Sequence, residues 1–179
     1  MNISVGILSI RNATSDDAQL LSKWWNDGRV MAHAGFPAGI GISERQVAAS
    51  LKKDNELHRR LIIEFENKPI GEMSYRTPEE KTAEIGIKIC VSGQQNKGYG
   101  TEYLKMLMEH LFASMEYDKI ILDTNLKNGR AQYVYERLGF RKVKTNIDAW
   151  KDQSGELQSS VDYEISKEEY AGSYNNEGN

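Results

Sequence analysis

Residues 82–101, TAEIGIKICVSGQQNKGYGT, combine a strand pattern, a glycine-containing loop and the start of a helix. Polar and apolar residues alternate over its first half, which predicts a strand because successive side chains of a strand point to opposite faces. The Q-x-x-G-x-G pattern of Gln95, Gly98 and Gly100 follows, and leucines and methionines then recur at helical spacing over 99–115. Glycines between a strand and a helix N-terminus expose backbone N–H groups, so this stretch favours binding of a diphosphate.

The other residues of this loop agree with an anionic ligand. Lys97 adds a positive charge and Thr101 a hydroxyl, while Asn96 and Tyr99 complete the predicted binding segment. The pattern lacks the Gly-Lys-Ser/Thr of a Walker A loop and the third glycine of a Rossmann fingerprint, which disfavours an adenine dinucleotide. Two alternatives stay open: a glycine pair that only turns the chain, and a nucleotide-binding protein that uses the same loop.

Outside this stretch the sequence predicts an α/β (α+β) domain whose mixed sheet is antiparallel through its middle. Two capping boxes, Thr14 with Asp17 and Ser43 with Gln46, open the first two helices. The whole pattern gives about six to seven strands and about four helices. The predicted strands are 5–11, 61–66, 70–76, 82–91, 119–125, 140–150 and 157–165; the predicted helices are 14–26, 43–54, 99–115 and 129–138, with a loop or broken helix at 27–42.

The composition limits the classes of protein that fit. A chain of 179 residues predicts one domain over 1–170, followed by a frayed polar tail over 171–179. A net charge of -3 disfavours nucleic-acid binding, and one cysteine with three scattered histidines disfavours a disulfide or a metal site. No apolar run is long enough to cross a membrane and the N-terminus lacks a signal-peptide pattern, so we expect a cytoplasmic protein.

A second pattern lies downstream of the loop, and the two together resemble a known family. The segment NGRAQYVYERLGF, residues 128–140, is similar to the N-x-x-A-x-x-x-Y-x-x-x-G-F pattern of the GNAT superfamily of N-acetyltransferases, whose loop has the form Q/R-x-x-G-x-G/A. WWND at 24–27 and EIGI at 84–87 further resemble its RimJ/RimL-like and spermidine-acetyltransferase-like branch. The resemblance implies a GNAT-type fold with acetyl-CoA as cosubstrate and no metal.

The resemblance also implies which residues hold the cofactor. In this family the strand before the loop contacts pantetheine through its backbone, which corresponds here to Ile89, Cys90 and Val91. Asn128 and Ala131 correspond to residues that order the cofactor at the start of the next helix, although Asn128 also suits a simple N-cap. Cys90 itself is expected to be a small buried or wall residue, because direct transfer is the rule in the family.

Acetyl transfer to an amine needs an acceptor for the amine proton and a donor for the departing sulfur. By resemblance, Tyr135 is the predicted donor, and it shares a helix face with Ala131. Glu84 is the predicted base, with Glu72 on the neighbouring strand in reserve. An ion pair between Glu84 and Lys88, which share a strand face, is the competing interpretation.

The acceptor pocket is expected around the first helix. If the branch is right, the pocket is framed by Trp24, Trp25, Asp27 and Phe36, because an aromatic face beside an acid suits a cation. The alternative is that one or both tryptophans pack in the core.

We therefore predict an N-acetyltransferase for the primary amine of a small molecule, polyamine-like or aminoglycoside-like. A ribosomal-protein N-terminus is the alternative acceptor, and a non-catalytic CoA-binding sensor or interaction module is the alternative of another class. A homodimer is an expectation from family habit alone.

Overall fold

Eight strands form one mixed sheet in the computed structural model, which describes residues 1–176 and, among these, the side chains of residues 1–172. The strands are β1 (Asn2–Val5), β2 (Leu8–Asn12), β3 (His58–Phe65), β4 (Lys68–Glu79), β5 (Thr82–Ile89), β6 (Lys119–Asn125), β7 (Arg141–Lys151) and β8 (Leu157–Ser166). Their order across the sheet is β1-β2-β3-β4-β5-β6-β8-β7. Every neighbouring pair is antiparallel except β5 and β6, which are parallel, so the predicted mixed α/β architecture is confirmed.

The start of the chain is where the predicted element order is wrong. The pattern predicts one strand over 5–11, whereas the chain forms the β1–β2 hairpin with Gly6 and Ile7 in its turn. Gly6 has φ 59°, in the left-handed region that glycine adopts without a steric cost. Ile7 lies in the turn and is 56% exposed, but it is apolar, so the sequence pattern reads as one continuous strand and does not show the turn. The sheet therefore has eight strands rather than six to seven.

The helices lie in the segments between and after these strands. Both predicted capping boxes are confirmed, since the Thr14 N–H donates to the Asp17 carboxylate at 2.8 Å and the Ser43 N–H donates to the Gln46 side chain at 2.9 Å. Segment 27–42 is a broken helix, with a 3-10 turn at Ala32–Ala34. The α-helices are α1 (Ala18–Trp25), α2 (Gly28–Met31), α3 (Glu44–Leu51), α4 (Tyr99–Glu109), α5 (Gly129–Arg137) and α6 (Lys167–Asn176).

The two faces of the sheet carry separate apolar clusters. Leu61 and Ile63 of β3 belong to the larger cluster with α4, while Ile62 between them packs on the other side with α1 and α3. We call these sides the α4 face and the α1 face. Burying each Leu or Ile side chain contributes about 1.5–3 kcal/mol, so both clusters fix the helices that border the loop and the acceptor region.

The last helix lies at the C-terminal end of the described residues. Helix α6 continues through Asn176 and therefore includes part of the segment 171–179, while residues 177–179 lie outside the described residues. Within the part of the chain that the structure describes, no helix combines the length and apolar character needed to span a membrane.

Candidate active site

Strands β5 and β6 separate in the middle of the sheet. They pair only from Thr82 to Glu84 on β5 and from Lys119 to Ile121 on β6. Beyond Glu84, β5 continues to Ile89 and pairs with β4 on its other side. Its backbone N–H and C=O groups on the β6 side are therefore available to an extended ligand that carries amide groups of its own.

The glycine loop begins at the open end of this gap. The Gln95 side chain donates a hydrogen bond to the carbonyl oxygen of Ile89 at 2.8 Å, which ties the loop to the end of β5. Asn96 and Gly98 take φ angles of 61° and 83°, and these left-handed residues turn the chain into α4. A Cβ atom placed on Gly98 or Gly100 would meet no atom within 4 Å, so the space outside the loop is open.

Two properties of this loop suit a pyrophosphate. The first N–H groups of α4 have no partners within the helix, and they carry the positive end of the helix dipole. The Lys97 ammonium donates to the side chain of Gln94 at 3.1 Å and so keeps a positive charge beside the loop. Tyr99 and Thr101 lie in the first turn of α4, where the Tyr99 ring packs on Phe65 at 4.9 Å.

Helix α5 follows β6 and carries Tyr135 close enough to Asp123 of that strand for the carboxylate's charge to act on the phenol. Asn128 caps this helix, since its side-chain oxygen accepts from the Ala131 N–H at 3.2 Å, and its amide group donates to Thr124 of β6 at 3.3 Å. Tyr135 is 7% exposed and lies edge-on to the Tyr163 ring at 5.6 Å. No side chain of residues 1–172 forms a hydrogen bond with its hydroxyl.

The surroundings of Tyr135 keep its proton in place. Burial first, and then the negative charge of Asp123 and the neighbouring Tyr163, raise the pKa of Tyr135 to about 12. The phenol is therefore protonated throughout the neutral range and can act as a hydrogen-bond donor there.

Besides Glu164, which lies opposite Ile121 and forms an ion pair with Arg141, strand pairing places four carboxylates on the α1 face. Ile62 pairs with Glu72. Arg76, four residues further along β4 and therefore on the same face, pairs with Glu84, so both glutamates share the side of Ile62. Ile121 pairs with Glu84, and Asp123, two residues further, points the same way and lies opposite Asp162 of β8. This carboxylate row consists of Glu72, Glu84, Asp123 and Asp162.

The two glutamates of the row have cationic partners, although not the predicted one. Lys88 pairs with Glu72 at 3.3 Å, and Glu84 pairs with Arg76 at 2.7 Å, so the expected pair of Glu84 with Lys88 does not form. The buried Glu72 also accepts a hydrogen bond from the Trp25 indole at 2.9 Å. Asp123 and Asp162 were missed by sequence reasoning, because their proximity depends on the pairing of β6 with β8.

The residues predicted for the acceptor pocket divide into two groups. Trp24 is 6% exposed and packs in the apolar cluster of the α1 face, so its predicted position in the pocket is not supported. Trp25 is the tryptophan that contacts the carboxylate row, through the hydrogen bond from its indole to Glu72. Asp27 caps α2 through the Arg29 N–H, and Phe36 is exposed in the following loop.

Hydrogen bonds tie the loop at residues 35–39 to the connection between β7 and β8. The Gln153 side chain, in the β7–β8 connection, accepts from the Ala38 N–H at 3.0 Å and donates to the Gly39 carbonyl at 2.9 Å. Its own N–H donates to the Gly35 carbonyl at 2.8 Å. A Cβ on Gly35 would lie 2.4 Å from the Trp150 ring, which shows how closely the loop meets the hairpin.

Cys90 is not an activated nucleophile. It is 8% exposed and belongs to the apolar cluster of the α1 face. Burial first, and then the negative charge of Glu72, raise the pKa of its thiol well above the usual range, which disfavours the thiolate. Among the described residues, no group of three or more His, Cys, Asp or Glu side chains is placed to hold a metal ion.

A split parallel strand pair, a glycine loop at the N-terminus of a helix and a buried tyrosine define an acetyltransferase of the GNAT type. The family model described as an acetyltransferase (GNAT) domain matches residues 8–141, more than half of the chain. The chain therefore belongs to this family and is an N-acetyltransferase, which confirms the resemblance seen in the sequence.

Relatives and solved structures agree with this assignment. The chain is 29% identical over 146 residues to a protein described as "Uncharacterized N-acetyltransferase YnaD" of Bacillus subtilis (strain 168), with 79% of this chain and 84% of that protein covered. Spermidine N-acetyltransferase from Vibrio cholerae, solved with CoA and spermine, gives a TM-score of 0.82 at 20% identity and covers 92% and 98% of the two chains. RimL, a ribosomal L7/L12 alpha-N-protein acetyltransferase solved with coenzyme A, gives a TM-score of 0.81 at 18% identity. The match covers 93% of this chain and 98% of that chain.

Proposed function

We propose that the protein transfers an acetyl group from acetyl-CoA directly to a primary amine of a small, positively charged molecule, polyamine-like or aminoglycoside-like. The observation that carries this proposal is the carboxylate row on the α1 face, next to the gap between β5 and β6. Several carboxylates beside one gap favour an acceptor that brings more than one ammonium group.

The residues around the gap fit acetyl-CoA. The open space outside Gly98 and Gly100 leaves room for a pyrophosphate at the start of α4, and the edge of β5 that is unpaired with β6 beyond Glu84 offers backbone groups to pantetheine. Gln95 holds these two parts together. Bound there, acetyl-CoA supplies the acetyl group as a thioester.

Tyr135 supplies a donor for the sulfur that departs. Its phenol has a pKa of about 12, which is higher than the value of about 8.5 for a cysteine thiol. The hydroxyl therefore stabilises negative charge on sulfur mainly by donating a hydrogen bond, and burial strengthens that bond. Asn128 keeps α5, and hence Tyr135, at the edge of the gap by capping the helix.

The acceptor class follows from charge. The row carries four carboxylates, while Lys88 and Arg76 neutralise only two of them, Glu72 and Glu84. The ion pair of Glu84 weakens its assignment as the base. The structural likeness to a spermidine N-acetyltransferase supports a polyamine-like acceptor, although it is a likeness of the fold.

Release of free thiol from acetyl-CoA in the presence of an amine panel tests the proposal. The panel contains spermidine, an aminoglycoside, single amino acids and short peptides with varied N-termini. We expect turnover with the multiply charged amines. Turnover with peptides alone would instead assign the protein to N-terminal acetylation.

A thermal-shift measurement tests the cofactor separately. A ligand at about 100 times its Kd stabilises the native state by about 2.7 kcal/mol, which corresponds to roughly 5–11 °C for a domain of this size. We expect that shift with CoA and none with ATP. A shift with ATP alone would contradict acetyl-CoA as the cosubstrate.

A further inference from the structure

We infer that Asp123 of β6 accepts the proton of the acceptor amine, in place of Glu84. This inference rests on the proposed function and concerns the same site. It assigns a catalytic residue that the sequence patterns did not indicate.

The position of Asp123 is set by where the two central strands separate. Glu84 pairs with Ile121 at the last paired position, and Asp123 is the next β6 residue on the α1 face. It therefore lies at the mouth of the gap, on the side where the 3-10 turn Ala32–Ala34 comes close to β6. Its side chain reaches solvent, so an amine from the acceptor side can contact it.

Asp123 is the carboxylate of the row that has neither a hydrogen bond nor an ion pair with a described side chain. Glu72 and Glu84 have ion pairs, and both Asp162 oxygens accept hydrogen bonds from the Asn146 amide at 2.9–3.0 Å. Among residues 1–172, no side chain donates a hydrogen bond or forms an ion pair with the Asp123 carboxylate. Apart from the hydrogen bond with its own backbone N–H, its lone pairs are therefore available for a proton or an ammonium group.

Besides the unpartnered Asp123 carboxylate, Tyr135 supports this assignment of the base. The Tyr135 side chain is 7% exposed, its hydroxyl has no hydrogen-bond partner among the described side chains, and the charge of Asp123 acts on it. A proton acceptor and a hydrogen-bond donor that lie close enough to interact electrostatically are the two groups that amine acetylation needs. Glu84, in contrast, is held by Arg76 on the neighbouring strand.

The charged groups around Asp123 favour its role as a base. Burial first, then the negative charges of Glu84 and Asp162, raise the pKa of Asp123 above its usual range, and Arg76 opposes them. Two further titratable side chains lie on elements near Asp123. His33 belongs to the 3-10 turn beside β6 and has an exposed side chain, and Lys144 of β7 lies opposite Asp162 of β8. A raised pKa brings a carboxylate closer to neutral pH, where a base is most effective.

The proposed reaction removes two protons from the acceptor nitrogen. An ammonium nitrogen gives one proton to an Oδ atom of Asp123, and its lone pair then forms the N–C bond with the acetyl carbon. The C–S bond breaks, and its electron pair stays on sulfur. The nitrogen's second proton ends on that sulfur, to which the Tyr135 hydroxyl donates its hydrogen bond, and Asp123 returns the first proton to solvent.

The first experiment needs no turnover. We would titrate the side-chain carboxyl carbons of ¹³C-aspartate-labelled protein by NMR and assign Asp123 from the signal lost in Asp123→Asn. We expect a midpoint above the ordinary aspartate value of about 3.9, and a lower midpoint in Asp162→Asn because a nearby negative charge is removed. A midpoint at or below the ordinary value would overturn the inference.

The second experiment is the pH profile of kcat/KM with spermidine at saturating acetyl-CoA. Activity needs deprotonated Asp123, so it rises with pH along an acid limb. Asp123→Asn is expected to lower kcat/KM by roughly 10²–10⁴-fold and to remove that limb. Asp162→Asn and Glu84→Gln both remove negative charge and are expected to shift the limb to lower pH, with losses below about tenfold.

Matched controls separate this role from a structural one. Asp118→Asn makes the same change just before β6, at an exposed side chain, and should leave the profile unchanged. Asp123→Asn should keep the CoA-induced thermal shift, and Asp123→Glu should recover part of the activity. If the wild-type protein acetylates no amine, the proposed function fails. If it is active and Asp123→Asn keeps both rate and acid limb, the function stands and Asp123 is not the base.

Discussion

At the scale of single residues, Tyr135 carries the sharpest prediction. Tyr135→Phe removes only the hydroxyl and leaves the ring between Phe140 and Tyr163. We expect kcat to fall at least tenfold, in the range of about 10²–10³ for one lost donor in a buried site, with CoA affinity unchanged. Single-turnover rates and the CoA-induced thermal shift measure the two quantities.

The neighbouring Tyr133 provides the control. Its side chain is 61% exposed and its hydroxyl accepts a hydrogen bond from Arg137, away from the gap. Tyr133→Phe should keep the wild-type rate.

Because burial and Asp123 raise the pKa of Tyr135 to about 12, the wild-type rate should also show no loss from phenol ionisation up to about pH 10. An unchanged rate in Tyr135→Phe would remove this residue from the mechanism.

The site residues that the sequence could indicate are those that belong to a local pattern. Gln95, Gly98 and Tyr135 are spaced along the chain in a way that one sequence displays. Asp123 lies in an ordinary strand pattern, and its significance depends on a partner, Asp162, that is 39 positions away and paired across β6 and β8. A sequence without the pairing register gives no reason to connect them.

At the scale of secondary-structure elements, the two loop glycines make different predictions. Gly98 has φ 83°, so Gly98→Ala should cost about 1–2 kcal/mol of stability from the left-handed backbone alone. Gly100 lies within α4, where alanine is the better helix former by about 0.5–1 kcal/mol. Both positions have open space for a methyl group in the protein alone.

Thermal unfolding and CoA titration separate these effects. We expect Gly98→Ala to lower both Tm and CoA affinity, and Gly100→Ala to lower CoA affinity without lowering Tm, because its methyl group meets the ligand. Gly172→Ala in α6 is the matched control, since it has the same open surroundings but lies away from the loop. Full CoA affinity in Gly100→Ala would show that the ligand does not approach this part of α4.

The elements themselves differ in how well sequence indicates them. Capping boxes at Thr14 and Ser43 are local hydrogen-bond patterns; Ser43 caps α3 as predicted, and Thr14 caps a 3-10 turn, Ser15–Asp17, that leads into α1. The turn at Gly6 escapes prediction because an apolar residue follows it. The separation of β5 from β6 is also invisible in the alternation of Thr82–Ile89, since a strand has the same pattern whether one or both edges are paired.

At the scale of the whole molecule, charge governs the approach of the acceptor. The chain has a net charge of -3, and the carboxylate row lies beside the gap on the α1 face. Such an arrangement attracts a cation over a distance set by the salt concentration, since the screening length falls from about 10 Å at 0.1 M to about 3 Å at 1 M. Association of a multiply charged amine should therefore depend strongly on salt.

We expect kcat/KM for spermidine to fall about tenfold between 0.05 and 0.5 M salt, with acetyl-CoA kept saturating so that its phosphates do not contribute. A monoamine of similar chain length is the matched control and should lose much less, because one charge interacts with the row instead of three. Asp162→Asn removes one charge of the row and should flatten the spermidine dependence without changing that of the monoamine. Equal losses for both amines would place the salt effect on the protein or on acetyl-CoA, and would contradict electrostatic selection of the acceptor by this face of the sheet.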